Sequence, residues 1–243
     1  MEAAVITGGT RGIGAAIAKA LARRGTALVL NGRAEDDEVR QLLTELRDLT
    51  PVRFLPGDGT TPETAAALTQ MAEGEFGRLD YVVPAAGGPH PGKILDLSFD
   101  HWMDAFRIHV HAVFHLFRAA QPLLARQGGA MLLIGSVAGR RGCPATVAYQ
   151  TVKGALPQMA RALARDHAPD GIRVNVIEPG IIRTRFHAAM TPDAERNNLD
   201  NRIPLRRFGT PDQVASAALE LLTNPFITGE TLAIDGGMSM RMV

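Results

Sequence analysis

Short apolar runs alternate with longer segments of helical spacing along almost the whole chain. The runs are bounded by Gly, Pro or Asp and are too apolar to be half exposed, so they predict buried parallel strands. The predicted strands are 3–7, 27–31, 52–56, 79–84, 130–135, 173–177 and 231–234. The predicted helices are 13–24, 36–49, 62–76, 99–126, 147–167 and 211–223. This alternation indicates an α/β fold, a Rossmann-like doubly wound parallel sheet of seven strands with helices on both faces.

The pattern predicts one domain over residues 1–243, because no repeat, low-complexity linker or charged tail interrupts it. Two long polar connections containing proline, 87–97 and 183–205, depart from the regular alternation. Long loops in a compact domain are typically functional, so we expect segment 183–205 to be a substrate lid.

Charge and cysteine content exclude several classes of protein. Lys and Arg number 26 against 25 Asp and Glu, a net charge of +1, and no basic run occurs, so neither a nucleic-acid nor a membrane partner is expected. A single cysteine, Cys143, excludes a disulfide framework and a multi-cysteine metal site, and no metal is predicted. With no basic leader and no apolar run near about 18 residues, the expected location is the cytoplasm.

The first predicted strand runs into a glycine-rich turn and then into a helix. Gly8, Gly12 and Gly14 allow a sharp turn and a close approach of backbone amides to a ligand. The amides at the helix N-terminus form a site for a pyrophosphate, so the turn predicts dinucleotide binding. A purely structural glycine turn is the alternative.

The end of the second predicted strand bears on the choice of cofactor. An NAD site usually has an acid there for the ribose hydroxyls, whereas this chain has Asn31, Gly32 and Arg33. Arg33 and Arg11 can reach the same corner, which favours NADP. Two solvated arginines, with NAD as the cofactor, remain the alternative.

A tyrosine and a lysine occur four residues apart on one predicted helix. Tyr149 and Lys153 therefore share a helix face. A phenol has a pKa near 10, and a neighbouring ammonium is expected to lower that pKa, so that Tyr149 works as a general acid or base. Ser136 follows the strand 130–135 and lies at the carboxyl edge of the sheet, where open α/β folds bind ligands.

The motifs of this chain are distributed over nearly its whole length. They are the turn at 8–14, Asp58, 85–87, Ser136, Tyr149 with Lys153, 179–180, 228–229 and 235–237. Together they resemble the short-chain dehydrogenase/reductase family, of the compact bacterial type that includes 3-oxoacyl-acyl-carrier-protein reductases and polyol or sugar dehydrogenases.

The resemblance implies roles for individual residues. Ser136 would hydrogen-bond the substrate oxygen, Tyr149 would transfer the proton, and Lys153 would also bond the nicotinamide ribose. Asp58 would accept from the adenine amino group. The remaining cofactor contacts implied are Gly8, Thr10, Arg11, Gly12, Ile13, Gly14, Arg33, Ala86, Gly87, Tyr149, Lys153, Pro179, Gly180, Ile182 and Thr184.

The chain departs from the family pattern at two places. The usual Asn-Asn-Ala-Gly after the fourth strand is replaced by Pro84, Ala85, Ala86 and Gly87, which predicts a local rearrangement. His109 stands where the family usually has the Asn of a proton relay. We hypothesise that His109 lies near Lys153 and joins that relay; a helix-core histidine without a kinetic role is the alternative.

Substrate contacts are less well defined by the sequence. The candidates are His90, Arg140, Arg141, Cys143, Arg183, Arg185 and Phe186. The arginines would suit a phosphorylated or carboxylated substrate, with solvated surface arginines as the alternative.

The expected protein is an NADP(H)-dependent oxidoreductase acting on a small-molecule ketone or secondary alcohol. A NAD-linked polyol or sugar dehydrogenase and a catalytically silent, cofactor-binding regulator are the alternatives. The resemblance also implies a homotetramer, with the helices 99–126 and 147–167 forming a dimer interface.

Overall fold

The computed structural model describes residues 1–240 and has a parallel sheet of seven strands at its centre. The strands are β1 (Ala3–Thr7), β2 (Ala27–Gly32), β3 (Val52–Pro56), β4 (Tyr81–Pro84), β5 (Ala130–Ile134), β6 (Arg173–Pro179) and β7 (Thr231–Ile234). Their order is β3-β2-β1-β4-β5-β6-β7. The order reverses between β1 and β4, and open α/β sheets bind ligands in the crevice at such a switch point. The predicted doubly wound fold is confirmed.

Helices cover both faces of the sheet. They are α1 (Gly12–Ala22), α2 (Asp37–Arg47), α3 (Pro62–Phe76), α4 (Phe99–Phe106), α5 (Ala112–Gln127), α6 (Val147–His167), α7 (Pro192–Asn197) and α8 (Pro211–Thr223). Side chains of a strand alternate between faces, so Ala4 and Ile6 pack with α1, α2 and α8. Val5 packs with α3, α5 and α6 on the opposite face. Two separate cores therefore hold the sheet in the middle layer.

Helix starts follow the capping chemistry of the sequence. The side chains of Thr61 and Thr210 accept from backbone amides at the starts of α3 and α8, each followed by a proline at the first position. Asp36 caps α2 rather than forming its first turn. The one-residue differences at such ends arise because capping residues already leave the helical conformation.

The predicted helix 99–126 is interrupted by a π-helical segment, Arg107–His111, between α4 and α5. A π turn inserts an extra residue into the helical ladder and is common at functional sites. Segment 183–205, predicted as an irregular lid, also contains regular structure: a 3-10 turn at Arg185–His187, α7, and a π-helical segment at Asn198–Arg202. The side chain of Thr191 caps α7, and the following proline is the first residue of that helix. The polar composition of the segment gave no apolar pattern from which α7 could be predicted.

Pro84 ends β4 opposite Thr7. Proline lacks an N–H donor, and the next amide, that of Ala85, donates to the Thr7 carbonyl at 3.0 Å. Strand pairing with β1 therefore continues past the proline. Within residues 1–240, no helix combines the length and apolar character needed to cross a bilayer.

Candidate active site

The glycine turn between β1 and α1 requires glycine for two separate reasons. Gly8 and Gly12 have φ angles of +62° and +52°, a region in which L side chains are strained. A Cβ on Gly8 would lie 2.6 Å from the amide nitrogen of Ala86, and one on Gly14 would overlap the Gly8 carbonyl oxygen. The turn is thus packed backbone to backbone against the segment that follows β4.

Side chains cap the N-termini of α2 and α3, whereas no side chain of the described residues caps the N-terminus of α1. Unpaired amides and the helix dipole at this point attract an anion, so the turn fits the pyrophosphate of a dinucleotide. Thr184 lies beside the turn, with its Cγ2 3.4 Å from the Cβ position of Gly12. Thr184, at the start of segment 183–205, therefore borders the same turn.

Arg11 and Arg33 have different surroundings at the end of β2. Arg11 contacts the carboxylate of Asp36 and lies 3.6 Å from that of Glu38. Arg185 of the lid binds the same Glu38 at 2.7 Å. Arg33 is exposed and forms no ion pair with the rest of the described chain. Asp36 and Glu38 were not among the predicted site residues, although an acidic run at 35–38 follows Arg33 after one residue.

Asn31 and Thr10 shape the floor of this corner. The buried Asn31 amide donates to the carbonyls of Leu55 and Gly57 at 3.0 and 3.2 Å, so it joins β2 to the end of β3. Thr10 lies against Gly32, where a Cβ would approach the Thr10 hydroxyl at 2.5 Å. Asn31 is therefore a structural residue rather than a free polar group at the strand end.

Asp58 follows β3 and already has protein partners. Its Oδ1 accepts from the Thr60 amide at 3.0 Å and hydroxyl at 2.7 Å, and its Oδ2 accepts from Arg107 at 2.9 Å. Although partial burial favours the neutral acid, these hydrogen bonds hold the pKa of Asp58 below its ordinary value. Arg107 belongs to the π-helical segment and was not predicted, because nothing in its sequence position points to Asp58.

Ser136, Tyr149 and Lys153 meet at the carboxyl end of β5. The Lys153 ammonium donates to the Ile134 carbonyl at 2.6 Å and lies 5.7 Å from the centroid of the Tyr149 ring. The side chains of Ser136 and Tyr149 lie within reach of a hydrogen bond that favours the phenolate and lowers the Tyr149 pKa. Three side chains from two elements thus converge, which places a hydroxyl pair and an amine around one point.

The expected lowering of the Tyr149 pKa by Lys153 is wrong for the protein as described. Burial raises the pKa of Tyr149 to about 12, and the hydrogen bond from Ser136 only partly opposes this. Burial also lowers the pKa of Lys153 to about 7. Desolvation penalises the charged form of each group, and a half-neutral lysine stabilises a phenolate less than a full ammonium would. Tyr149 is consequently a protonated phenol at neutral pH.

His109 lies in the π-helical segment with 3% of its surface exposed. Its Nε2–H donates to the Gly88 carbonyl at 3.0 Å, and a Cβ on Gly87 would meet its Cε1 at 2.8 Å. Burial, followed by the nearby Lys153, lowers the pKa of His109 to about 2. His109 and Lys153 line one cavity of about 10 Å³, so the expected proximity of the two residues is observed.

The end of β6 contributes backbone more than side chains. Pro179 ends the strand, and a Cβ on Gly180 would lie 2.8 Å from Asp235, so only glycine fits there. Ile182 is buried in the core, which leaves its backbone rather than its side chain for a ligand. Ile13 is likewise partly buried against this core.

One side chain of segment 183–205 lies against the tyrosine. The Phe186 ring lies 5.8 Å from that of Tyr149, centroid to centroid. Arg140 is instead paired at 2.8 Å with the buried carboxylate of Glu178, and Arg141 donates to the Ser239 carbonyl. Of the candidate substrate contacts, Phe186 therefore lies against Tyr149, whereas Arg140 and Arg141 have structural partners.

Comparison with known proteins places the chain in a family. A family model described as enoyl-(acyl carrier protein) reductase matches residues 8–239. The chain is 32% identical to a 3-oxoacyl-(acyl-carrier-protein) reductase of Chlamydia muridarum, covering 98% of this chain and 97% of that protein. It is 34% identical to a 3alpha-hydroxysteroid dehydrogenase of Mediterraneibacter gnavus, with 97% and 96% covered.

A solved structure supports the same assignment. A mutant short-chain dehydrogenase/reductase of Serratia marcescens superposes with a TM-score of 0.91 and 28% sequence identity, covering 98% of each chain. Both the whole-length sequence matches and the fold agree, so this chain is an oxidoreductase of the short-chain dehydrogenase/reductase family.

Proposed function

We propose that the protein transfers hydride between a nicotinamide cofactor, NADP(H), and a ketone or secondary alcohol, with Tyr149 as the general acid and base. The carrying observation is the convergence of Ser136, Tyr149 and Lys153 at the edge of the sheet that also bears the uncapped glycine turn. Two of the relatives, named as a 3-oxoacyl-(acyl-carrier-protein) reductase and a 3alpha-hydroxysteroid dehydrogenase, are consistent with this reaction class.

The cofactor would supply the hydride, and the protein would supply binding, orientation and the proton. Because burial raises the pKa of Tyr149 to about 12, the phenol is protonated at neutral pH and ready to donate to a carbonyl oxygen. Ser136 is positioned to hydrogen-bond that oxygen beside Tyr149. A charged Lys153 next to the resulting phenolate would stabilise it, and the phenolate would in turn raise the pKa of the lysine.

His109 is proposed to serve the proton supply of this site. The cavity that it shares with Lys153 has a volume of about 10 Å³, which is roughly the space of one water molecule. Its imidazole is neutral, with Nε2 as the donor to Gly88, so Nδ1 carries a lone pair. A neutral imidazole can therefore replace the amide that the family usually has at this position.

NADP is the proposed cofactor because of Arg33 and Arg11. Arg33 is exposed just after β2, and Arg11, at the start of α1, would reach the same corner of the site. A specific observation favours NAD as the second candidate: Asp36 and Glu38 already bind Arg11, and carboxylates suit ribose hydroxyls. The second candidate function is accordingly a NAD-linked polyol or sugar dehydrogenase.

The test is a hydride-transfer screen over ketones, secondary alcohols and polyols with each cofactor. The absorbance of the reduced nicotinamide is the signal that reports turnover. We expect turnover with a lower Michaelis constant for NADPH than for NADH. We expect Tyr149→Phe to lose about 10²-fold or more in turnover while binding cofactor normally. A lower constant for NADH would reverse the cofactor assignment. Tight cofactor binding without turnover on any substrate would instead support a silent regulator.

A further inference from the structure

Glu178 is a buried carboxylate that no step of the proposed reaction uses. It lies near the end of β6, directly before Pro179, and 1% of its surface is exposed. A charge is costly to bury unless it is paired and hydrogen-bonded, so this carboxylate needs a partner. Arg140 is that partner: its Nε donates to the Glu178 Oε2 at 2.8 Å, and its Nη2 lies 2.8 Å from the same oxygen.

Arg140 and the proposed catalytic serine are the two ends of one short turn. The turn is a 3-10 helix, Val137–Gly139, with Ser136 before it and Arg140 after it. The Ser136 hydroxyl oxygen accepts from the Ala138 amide at 3.2 Å, and the Arg140 amide donates to the Val137 carbonyl at 3.0 Å. A shift of Arg140 is therefore transmitted to Ser136 through hydrogen-bonded backbone.

The Glu178 side chain also contacts the chain on the other side of Ser136. A Cβ on Gly135 would lie 2.9 Å from the Glu178 Cγ, and the Gly135 amide donates to the Ile177 carbonyl at 2.8 Å. The stem of Glu178 thus passes beside the residue before Ser136, while its carboxylate binds Arg140 after the turn. One side chain of β6 holds both ends of segment 135–140.

The same turn packs against α6. A Cβ on Gly139 would lie 2.6 Å from the backbone carbonyl carbon of Lys153, so the two backbones are in contact there. The turn is therefore held on one side by the helix that carries Tyr149 and Lys153, and on another by the end of β6.

Arg140 also influences a second acid, Asp235, which follows β7. Although burial favours the neutral acid, hydrogen bonds from Ser239 and Gly237 and the charge of Arg140 hold the pKa of Asp235 below its ordinary value. Asp235 packs against Gly180, where a Cβ would lie 2.8 Å from the Asp235 Cα. The arginine thus attracts acids of both segments that meet at Gly180.

We propose that Arg140 and Glu178 are positioning residues that set Ser136 relative to the backbone at Pro179 and Gly180. This inference rests on the proposed function, in which Ser136 holds the substrate oxygen and that backbone borders the nicotinamide. Both residues act through the segments that they join. Transfer between two held groups slows steeply when their separation changes, so the pair acts on the hydride step.

The first experiment measures positioning without turnover. Calorimetric titration gives the dissociation constants of nicotinamide mononucleotide and adenosine 5′-monophosphate for the wild type and for Arg140→Met. We expect the first constant to rise about fivefold or more, and the second to stay within about twofold, because only the nicotinamide end borders Gly180. An unchanged constant for nicotinamide mononucleotide would overturn the proposal. Equal weakening of both fragments would assign the pair to general stability and overturn it as well.

The second experiment measures the hydride step itself. We expect Arg140→Met to slow single-turnover hydride transfer by about tenfold or more. The primary isotope effect, measured with cofactor deuterated at the transferred position, should also become more dependent on temperature, because a poorly held donor and acceptor sample more distances. A wild-type rate and isotope effect would count decisively against positioning.

The matched control removes an ion pair elsewhere in the sheet. Arg53 of β3 donates to Glu75 of α3 at 2.7 Å and is about as exposed as Arg140. Arg53→Met should keep wild-type values in both experiments, since neither residue lies near the ends of β5 and β6. Losses in Arg53→Met equal to those in Arg140→Met would show a nonspecific effect of losing an ion pair.

A double variant covers the case in which Arg140→Met does not fold with an unpaired carboxylate inside. Arg140→Met with Glu178→Met leaves no buried charge, and replacing both partners by apolar groups is commonly neutral for stability. We expect the same losses, because the two segments are no longer joined. Wild-type values in the double variant would overturn the proposal. If the wild type binds both fragments but transfers no hydride, the proposed function fails, whereas the fragment constants still decide the role of the pair.

Discussion

Arg107 binds Asp58 across a gap of 49 residues in the sequence, with its Nη1 donating to the Asp58 Oδ2 at 2.9 Å. Arg107 also donates to Asp104 and contacts the Thr60 hydroxyl. The π-helical segment that carries His109 is thereby connected to the loop after β3, where the family resemblance places the adenine. His109 of this segment lies near Tyr149 and Lys153, and Arg107 of the same segment orients the carboxylate of Asp58.

Loss of this ion pair should weaken binding at the adenine end alone. We expect Arg107→Gln to raise the dissociation constant of adenosine 5′-monophosphate about three- to fivefold, a modest effect because both side chains are about half exposed. Binding of nicotinamide mononucleotide should not change. Calorimetric titration of both fragments checks the prediction, and equal weakening of the two would refute a local role.

Gly8 should not tolerate a side chain. In Gly8→Ala the Cβ would lie 2.6 Å from the Ala86 amide nitrogen at a φ of +62°, so we expect a loss of more than about 1 kcal/mol of unfolding free energy and a loss of cofactor binding. Gly74→Ala is the control. Gly74 is an exposed residue of α3 where a Cβ meets nothing within 4 Å, and this change should stabilise by up to about 1 kcal/mol. Denaturant unfolding of both variants measures the contrast.

Lys153 should make stability depend on pH above neutrality. Its pKa is about 7 in the folded protein, against the ordinary 10.5, so between these values the unfolded chain binds more protons than the folded one. The free energy of unfolding therefore rises with pH across this window. Below about pH 7 the lysine is protonated in both states, so it adds no pH dependence there. Urea denaturation from pH 7 to 9 should show this rise in the wild type and a flatter profile in Lys153→Met. Equal profiles would show that Lys153 is charged in the folded protein.

Arg33 should distinguish the two cofactors. We expect Arg33→Ser to raise the Michaelis constant for NADPH about tenfold and to leave that for NADH nearly unchanged, because only NADPH carries a 2′-phosphate. Arg24→Ser removes another exposed arginine, at the end of α1, and should change neither constant. Steady-state kinetics of the three proteins tests this, and a parallel change for both cofactors would count against the phosphate contact.

The helices α4 and α5 present exposed apolar side chains, including Phe99, Met103 and Phe114. Exposed apolar groups of this size are typical of interfaces between subunits, which supports the proposed homotetramer. Sedimentation of the wild type should give the mass of four chains. We expect Phe114→Glu, which puts a charge on α5, to shift the protein toward smaller species; a wild-type monomer would contradict the proposal.

Features that depend on neighbours in the sequence were predictable. The apolar runs of the strands, the glycine turn and the four-residue spacing of Tyr149 and Lys153 are local, and all are present at the expected positions. The limits of the sequence became evident where two elements approach. Residues 99–126 have one continuous helical pattern, whereas the π-helical segment within them contacts Gly87, Gly88 and Asp58, which spacing does not reveal.

The sequence by itself determined the fold and the glycine turn, and it singled out Ser136, Tyr149 and Lys153, because periodicity, capping and glycine conformation act over a few residues. Only the tertiary structure decided the pKa values of the titratable groups and the partners of the charged ones. Burial, rather than the adjacent lysine, sets the pKa of Tyr149, and the partners of Arg11 are the acids that follow β2.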